Sequence, residues 1–319
     1  MSAPDLAGRS LLVVIDPVAR RVDGESVRIA RDVLCAAATT KICFPDDPGE
    51  FARVLARRGQ RRPVVIGDDR ALLRTVELLH KERELPRVAL SLVPVGVPSA
   101  IALSRALGVP TDTVTAARAV LDGQERALDL LADDSDGIVL GGLRIPGGDP
   151  AEQPAQAVRT AAEEPAVPAQ RPWWAPAART ARAALSLLTA PVPGGGRRDG
   201  RVLPRLRVEA DGVVLADLDR PVHRVSVAPV GCTASECAAP GDGAAYPVQE
   251  HDGLAEVSVQ WQATEAPVRV RARAVTVSGP DFRYRADAVI GGPVRTRTWT
   301  VQPAAWRLTL PRGDASHAP

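Results

Sequence analysis

Apolar residues along this chain follow two different periods. Leu11-Leu12-Val13-Val14-Ile15 is an unbroken apolar run closed by Asp16-Pro17, which predicts a strand covered on both faces and ended by a turn. Val27, Ala30, Val33 and Leu34 then recur at helical spacing, so a helix is expected over Gly24 to Ala38. A short strand over Lys41 to Phe44, a helix over Gly49 to Arg58 and the buried-type run Pro63-Val64-Val65-Ile66 follow. After the turn Gly67-Asp68-Asp69-Arg70-Ala71 the pattern repeats. A helix is expected from Ala71 to about Glu84, a strand from Val88 to Val93, a turn from Pro94 to Ser99 and a helix from Ala100 to Leu107. Another helix over Asp112 to Asp122 leads through Arg126 to Leu131 into a strand over Gly137 to Leu143. Strands alternating with helices at this spacing imply a parallel sheet with helices on its faces.

From Arg201 to Pro311 the period is two, as in Leu206 to Glu209, Val222 to Val227, Val257 to Trp261, Val268 to Arg271, Ala274 to Val277 and Trp306 to Leu310. That alternation predicts an antiparallel β-sandwich with one wet face per sheet. Between the regimes, Pro146 to Pro172 and Pro191 to Gly200 hold few large apolar groups and read as mobile connections around one amphipathic helix, Trp173 to Leu188. The expected organisation is an α/β nucleotide-binding-like domain at 9–145, a mobile linker with one helix at 146–200, and a C-terminal antiparallel β-sandwich domain at 201–312.

Composition narrows the function. The chain has 319 residues, 45% of them hydrophobic, which suffices for two cores. Forty basic and 38 acidic residues leave a net charge of +2, too little to attract a polyanion, so no nucleic-acid partner is expected. The lysines are Lys41 and Lys81 alone, so a lysine-dependent phosphate loop has little to draw on. Cys35, Cys43, Cys232 and Cys237 are too scattered for a disulfide scaffold, and no second pair completes a zinc site beside Cys232 and Cys237. The first apolar run is short and lacks a basic leader, and no segment nears the ~20 apolar residues of a membrane span, so a cytoplasmic protein is expected. His80, His223, His251 and His317 lie beside no serine or cysteine motif of a hydrolase.

The chemistry-bearing motifs are altered versions of a known set. Val64-Val65-Ile66-Gly67-Asp68-Asp69-Arg70-Ala71-Leu72 resembles an apolar strand running into Gly-Gly-Asp-Gly-Thr, and Pro94-Val95-Gly96 with Arg105-Ala106-Leu107-Gly108-Val109-Pro110 resembles the frame of Pro-x-Gly-Thr-x-Asn-Asp and the Leu-Gly-Ile-Pro that ends its helix. Gln124 to Leu130 is similar to a stretch ending in Asp-Leu at a strand entrance. Asp252-Gly253-Leu254-Ala255-Glu256-Val257 looks like Asp-Gly-x-Leu-Asp-Val, and Asp287-Ala288-Val289 stands where Asp-Gly-Glu is found. Together these resemble the diacylglycerol-kinase catalytic family of bacterial lipid kinases, which shares its two-domain plan with NAD kinases. The resemblance covers roughly residues 10 to 131 and 201 to 311.

The resemblance implies ATP-dependent phosphorylation of a lipid hydroxyl, with ATP and Mg²⁺ as cofactors and a lipid alcohol such as diacylglycerol as acceptor. It places Gly67, Asp69 and Gly96 at the nucleotide, Asp252 and Glu256 at a structural magnesium ion, and Asp287 at the catalytic end, where the general-base position itself is Val289. It also implies peripheral contact at the inner membrane face, to which Trp173-Trp174 are suited, and leaves a homodimer open. The working residues differ from the family's. Asp68 replaces a glycine whose N–H would meet phosphate, and a unit charge about 4 Å from a phosphate costs on the order of 4 kcal/mol. Val97, Ser99 and Ala100 replace the threonine, asparagine and aspartate, with Ser99 suited to cap a helix, and a valine cannot take a proton. The expectation is a lipid-kinase-like protein with weak or lost catalysis, or a non-catalytic lipid- or nucleotide-binding scaffold of that ancestry.

Overall fold

A computed structural model describes residues 10–146, 203–230 and 252–312. The helix expected over Trp173 to Leu188, the connections around it, and Cys232 and Cys237 lie outside the described residues.

The first half is the alternating α/β pattern read from the sequence. Strands β1 (Ser10–Ile15), β2 (Thr39–Cys43), β3 (Arg62–Gly67) and β4 (Ala89–Pro94) pair in parallel in the order β2-β1-β3-β4. Helix α2 (Gly24–Ala37) begins where Asp23 accepts the Ser26 N–H at 2.9 Å, and it buries Val27, Ala30 and Leu34. A short helix, α1 (Pro17–Val22), precedes it. With α6 (Thr113–Asp122), α2 covers one face of the sheet through Leu11, Val13, Ile15, Val64 and Ile66. On the other face α3 (Pro48–Ala56) and α4 (Asp69–Lys81) bury Phe51, Leu55, Leu72, Val76 and Leu79 against Leu12, Val14 and Val65.

The second half is β-rich, as the period-two alternation requires. After β5 (Gln124–Asp133), β6 (Ile138–Val139) and β7 (Leu143–Ile145) come β8 (Arg207–Ala210), β9 (Val213–Ala216), β10 (Arg224–Pro229), β11 (Ala255–Gln260), β12 (Val268–Ala272), β13 (Ala274–Ala286) and β14 (Val289–Leu310). Among β10 to β14 neighbours are antiparallel, and Val208, Val225, Val227, Val257, Val259, Val275 and Val277 meet in one core.

Three differences from the sequence reading bear on the site and on the join between the halves. The helix expected from Ala71 begins at Asp69, because Asp68 supplies its cap. The strand expected over Gly137 to Leu143 is two short strands, interrupted at Leu140 to Gly142 where the backbone N–H groups turn to a side chain instead of a ladder. The last strand starts far upstream of Trp306, at Val289, through Gly, Pro and Arg-rich sequence without clean alternation.

That long strand joins the two halves. Strand β14 pairs antiparallel with β13 and β5 and also parallel with β4, through Arg307 with Ala89 and Leu308 with Leu90. A register shift between Gln302 and Trp306 divides it. Before the shift Trp299 and Val301 enter the β-rich core, and after it Trp306, Leu308 and Leu310 enter the α/β core. The Trp306 indole N–H also donates to the Asp129 carbonyl at 3.3 Å.

Trp306→Ala would leave a fully buried void and cost about 3–5 kcal/mol. Thermal unfolding followed by far-ultraviolet circular dichroism is expected to show one transition shifted down. A separate early transition of the α/β half would show that β14 does not couple the cores.

Candidate functional site

In an open parallel sheet, ligands meet the loops at the carboxyl ends of the strands. Here β1, β3 and β4 deliver Asp16, Gly67-Asp68-Asp69 and Val95-Gly96 to that edge. Asp16 is 3% exposed. It caps α1 by accepting the Val18 N–H at 2.7 Å and pairs with Arg74 of α4 at 3.2 Å. Gly67 is required by close packing: a Cβ there would lie 2.7 Å from Ala71 Cβ and 3.1 Å from Asp16 Cβ. Gly96 stands across the cleft edge, where an added Cβ would be 3.6 Å from Asp68 Cβ. The two loops expected to face a nucleotide therefore do adjoin.

The carboxylates between them are engaged. Asp68 Oδ1 accepts the N–H groups of Arg70 and Ala71, both at 3.1 Å. These are first-turn amides of α4, the groups that a phosphate at this helix would take. Burial raises the Asp68 carboxyl above its ordinary value, with the Ala71 N–H pulling it back and the Asp16 charge adding to the rise. Asp69, 4% exposed, accepts the Leu103 and Ser104 N–H groups at 2.8 Å each and the Ser104 hydroxyl as well. It thus holds the start of α5 (Ala102–Ala106), the helix of the second motif. Burial raises Asp69 too, against those three donors.

Asp287 closes the far side of this region. It occupies the β13–β14 turn with φ of 47°, and its carboxylate accepts from Leu140 and Gly141 at 2.8 Å and from Gly142 at 3.1 Å. Its own N–H returns to the Gly142 carbonyl at 2.9 Å. A Cβ on Gly141 would meet Leu103 Cδ1 at 2.5 Å and Asp287 Oδ1 at 3.1 Å, so the Asp69 and Asp287 clusters touch through Leu103 and Gly141. Burial pushes the Asp287 carboxyl up to about 6; the three N–H donors oppose this and the Asp69 charge adds to it. Val289, the position to which the sequence resemblance assigns a general base, is 54% exposed.

The second-half carboxylates lie elsewhere. Asp252 accepts the Leu254 N–H at 3.1 Å and pairs with Arg271 at 3.3 Å, while Glu256 on β11 pairs with Arg269 at 3.2 Å. Among the described residues no group of three or more His, Cys, Asp or Glu side chains is placed to hold a metal ion. Ser99 caps nothing: the turn Pro98–Ala100 is a short 3-10 helix without a side-chain cap bond. The sequence reading missed Ser104, Arg74 and the amides of Leu140 to Gly142 as partners of these carboxylates. Nothing in their local pattern marks them, because each partner is 35 or more residues away from the carboxylate it serves.

No family model and no curated protein matches the chain. Solved structures do. Two, described as a "putative diacylglycerol kinase" from Bacillus anthracis str. Sterne, align with TM-scores of 0.62 at 13% identity, over 95% of this chain and 97% of theirs. A third, of a diacylglycerol kinase from the same organism, aligns with a TM-score of 0.60 at the same identity and coverage. The described residues share the fold of these proteins. Among the described residues no helix is long and apolar enough to cross a membrane.

Asp287 protonates more readily folded than unfolded, since its carboxyl moves from 3.8 to about 6. The folded state therefore holds the extra proton in that window, and stability falls as pH rises from about 4 to 6, then levels. Asp287→Ala should flatten that slope and, by leaving three part-buried N–H donors without their acceptor, cost up to about 1–3 kcal/mol per donor. Denaturant unfolding at stepped pH reads both; a slope unchanged by the substitution assigns it to other groups.

Proposed function

We propose that this chain retains a lipid-kinase fold as a binding scaffold without phosphotransfer. The observation that carries this reading is the use of Asp68 and Asp69. A phosphate at the start of α4 would have to displace the Asp68 carboxylate from the Arg70 and Ala71 N–H groups, and would meet its negative charge while doing so. Asp69, the carboxylate retained from the family pattern, is committed to Leu103 and Ser104. Freeing it for a nucleotide or a magnesium ion would orphan the start of α5. Val289 supplies no base, and Asp287 is held by three N–H groups. ATP with Mg²⁺ therefore does not fit the residues present without rearrangement. In this reading Asp252 and Glu256 serve the ion pairs with Arg271 and Arg269 and not a metal.

One feature favours a second reading, an active kinase with slow turnover. Asp287 titrates near 6 and adjoins the Asp69 cluster, so it is the carboxylate that would accept a proton from a lipid hydroxyl if its three hydrogen bonds were released.

The full chain titrated with ATP and Mg²⁺ by calorimetry, beside a turnover assay on diacylglycerol, separates the two. No heat at submillimolar ATP and no phosphorylated lipid are expected. Asp68→Gly, which removes the carboxylate from the amides, should bring ATP affinity up by tenfold or more, since relief of even ~1.4 kcal/mol gives that factor. Turnover by the unmodified chain would overturn the scaffold reading.

A further inference from the structure

Strands β3 and β4 meet the candidate site with their carboxyl ends. At their amino ends, Arg62 and Ala89, the sheet has a second edge. An open cavity of about 400 Å³ lies there, and Arg58, Arg61, Arg62, Arg87, Glu84 and Glu125 are its charged lining. That volume falls within the roughly 300–1,000 Å³ of small-molecule sites. The lining is held in place before any ligand arrives. Arg58, 9% exposed, donates to the Leu55 carbonyl at 3.2 Å and to Glu82 at 3.1 Å, and pairs with Glu84 at 3.4 Å. It thereby ties the α3–β3 loop to the α4–β4 loop. Between Arg58 and Arg61 the chain turns on Gly59, with φ of 59°, and the Arg61 N–H closes the turn on the Arg58 carbonyl at 3.2 Å.

The fold uses these arginines unequally. Arg58 has its carboxylates, and Arg62 donates to the Val120 carbonyl of α6. The Arg61 side chain is half-buried, yet it has no hydrogen bond or ion pair among the described residues. Arg87 reaches Glu84 only at 3.9 Å, with its side chain 79% exposed, a pairing that contributes little. Two guanidinium groups therefore line the cavity without a close acid. Their planar forks match phosphate oxygens two at a time. Glu84 and Glu125 limit what can accompany the phosphate. A chain of phosphates would meet both carboxylates, whereas hydroxyl groups would donate to them. Glu125 is available for this, because its pair with Arg307 is 3.6 Å long and half-exposed on both sides.

We propose that this amino-edge cavity binds a small phosphomonoester with a hydroxyl-bearing body, the size of a sugar phosphate. Arg61 and Arg87 take the phosphate, Glu125 accepts a hydroxyl, and Arg58 positions the loop that carries Arg61. The site lies at the opposite ends of β3 and β4 from Asp68 and Asp69, and it does not depend on whether a nucleotide binds there. The full chain is titrated by calorimetry with glucose-6-phosphate, ribose-5-phosphate and glycerol-3-phosphate, beside glucose and inorganic phosphate. At least one of the esters is expected to bind at submillimolar concentration, with inorganic phosphate clearly weaker and glucose giving no heat. R61Q/R87Q should weaken that ester by about tenfold or more, the factor that one lost charge-assisted hydrogen bond gives. Its melting temperature without ligand should stay that of the unmodified chain. Glu125→Ala should weaken the ester and leave inorganic phosphate unchanged, and R283Q/R285Q, the same charge change on β13, should bind as before. The proposal is overturned if none of the esters binds, if inorganic phosphate or glucose binds as tightly as the best ester, or if R61Q/R87Q binds that ester unchanged.

Discussion

The structure depends on one strand serving two cores. Strand β14 places Trp299 and Val301 among the valines of the β-rich half and, after its register shift, Trp306, Leu308 and Leu310 among the helices of the α/β half. Side chains on a strand alternate strictly, so a strand without a bulge would present the same faces throughout. The shift between Gln302 and Trp306 resets that alternation, and Asp129 anchors it by accepting the Ala304 N–H at 2.8 Å. Because β14 also pairs with β4, the parallel sheet ends against a strand and is not left open on that side. The described residues apart from Leu203 accordingly belong to one compact unit.

Much of this was legible along the chain. The runs Leu11 to Ile15 and Pro63 to Ile66 predicted fully covered strands, and both are buried between helix layers. The valine alternation from Val225 to Val277 predicted the second core. What stayed hidden is long-range. Strand β13 continues past Val277 through Gly279-Pro280, residues that ordinarily stop a strand, and only its pairing with β14 carries it on. The short run Val213 to Ala216 became β9 because β8 lies beside it. At the site, the loops of Gly67 and Gly96 adjoin, and Gly67 is required by packing against Ala71 and Asp16 and not by backbone freedom. The partners that occupy Asp69 and Asp287 come from other elements and leave no local trace.

The carboxylates at the edge of the parallel sheet serve the backbone. At a glycine-rich phosphate loop the amides are open and strain is stored for a ligand. Here Asp16, Asp68 and Asp69 each satisfy amides at the start of a helix, α1, α4 and α5 respectively. Substitutions that give up ligand affinity commonly return stability in this way. Residue identity alone does not separate the two uses. The surroundings of Asp69 make it a cap.

The Asp287 clasp has a consequence for synthesis. Its carboxylate bonds Leu140, and the two are separated by 147 positions along the chain, while β14 is the last strand in sequence. On a ribosome, β4 and β5 emerge long before the strand that will lie against both. Until then each carries an unpaired edge of backbone N–H and carbonyl groups, the kind of edge through which nascent chains associate. Between translation of Asp133 and of Leu310 those two edges await the strand that covers them.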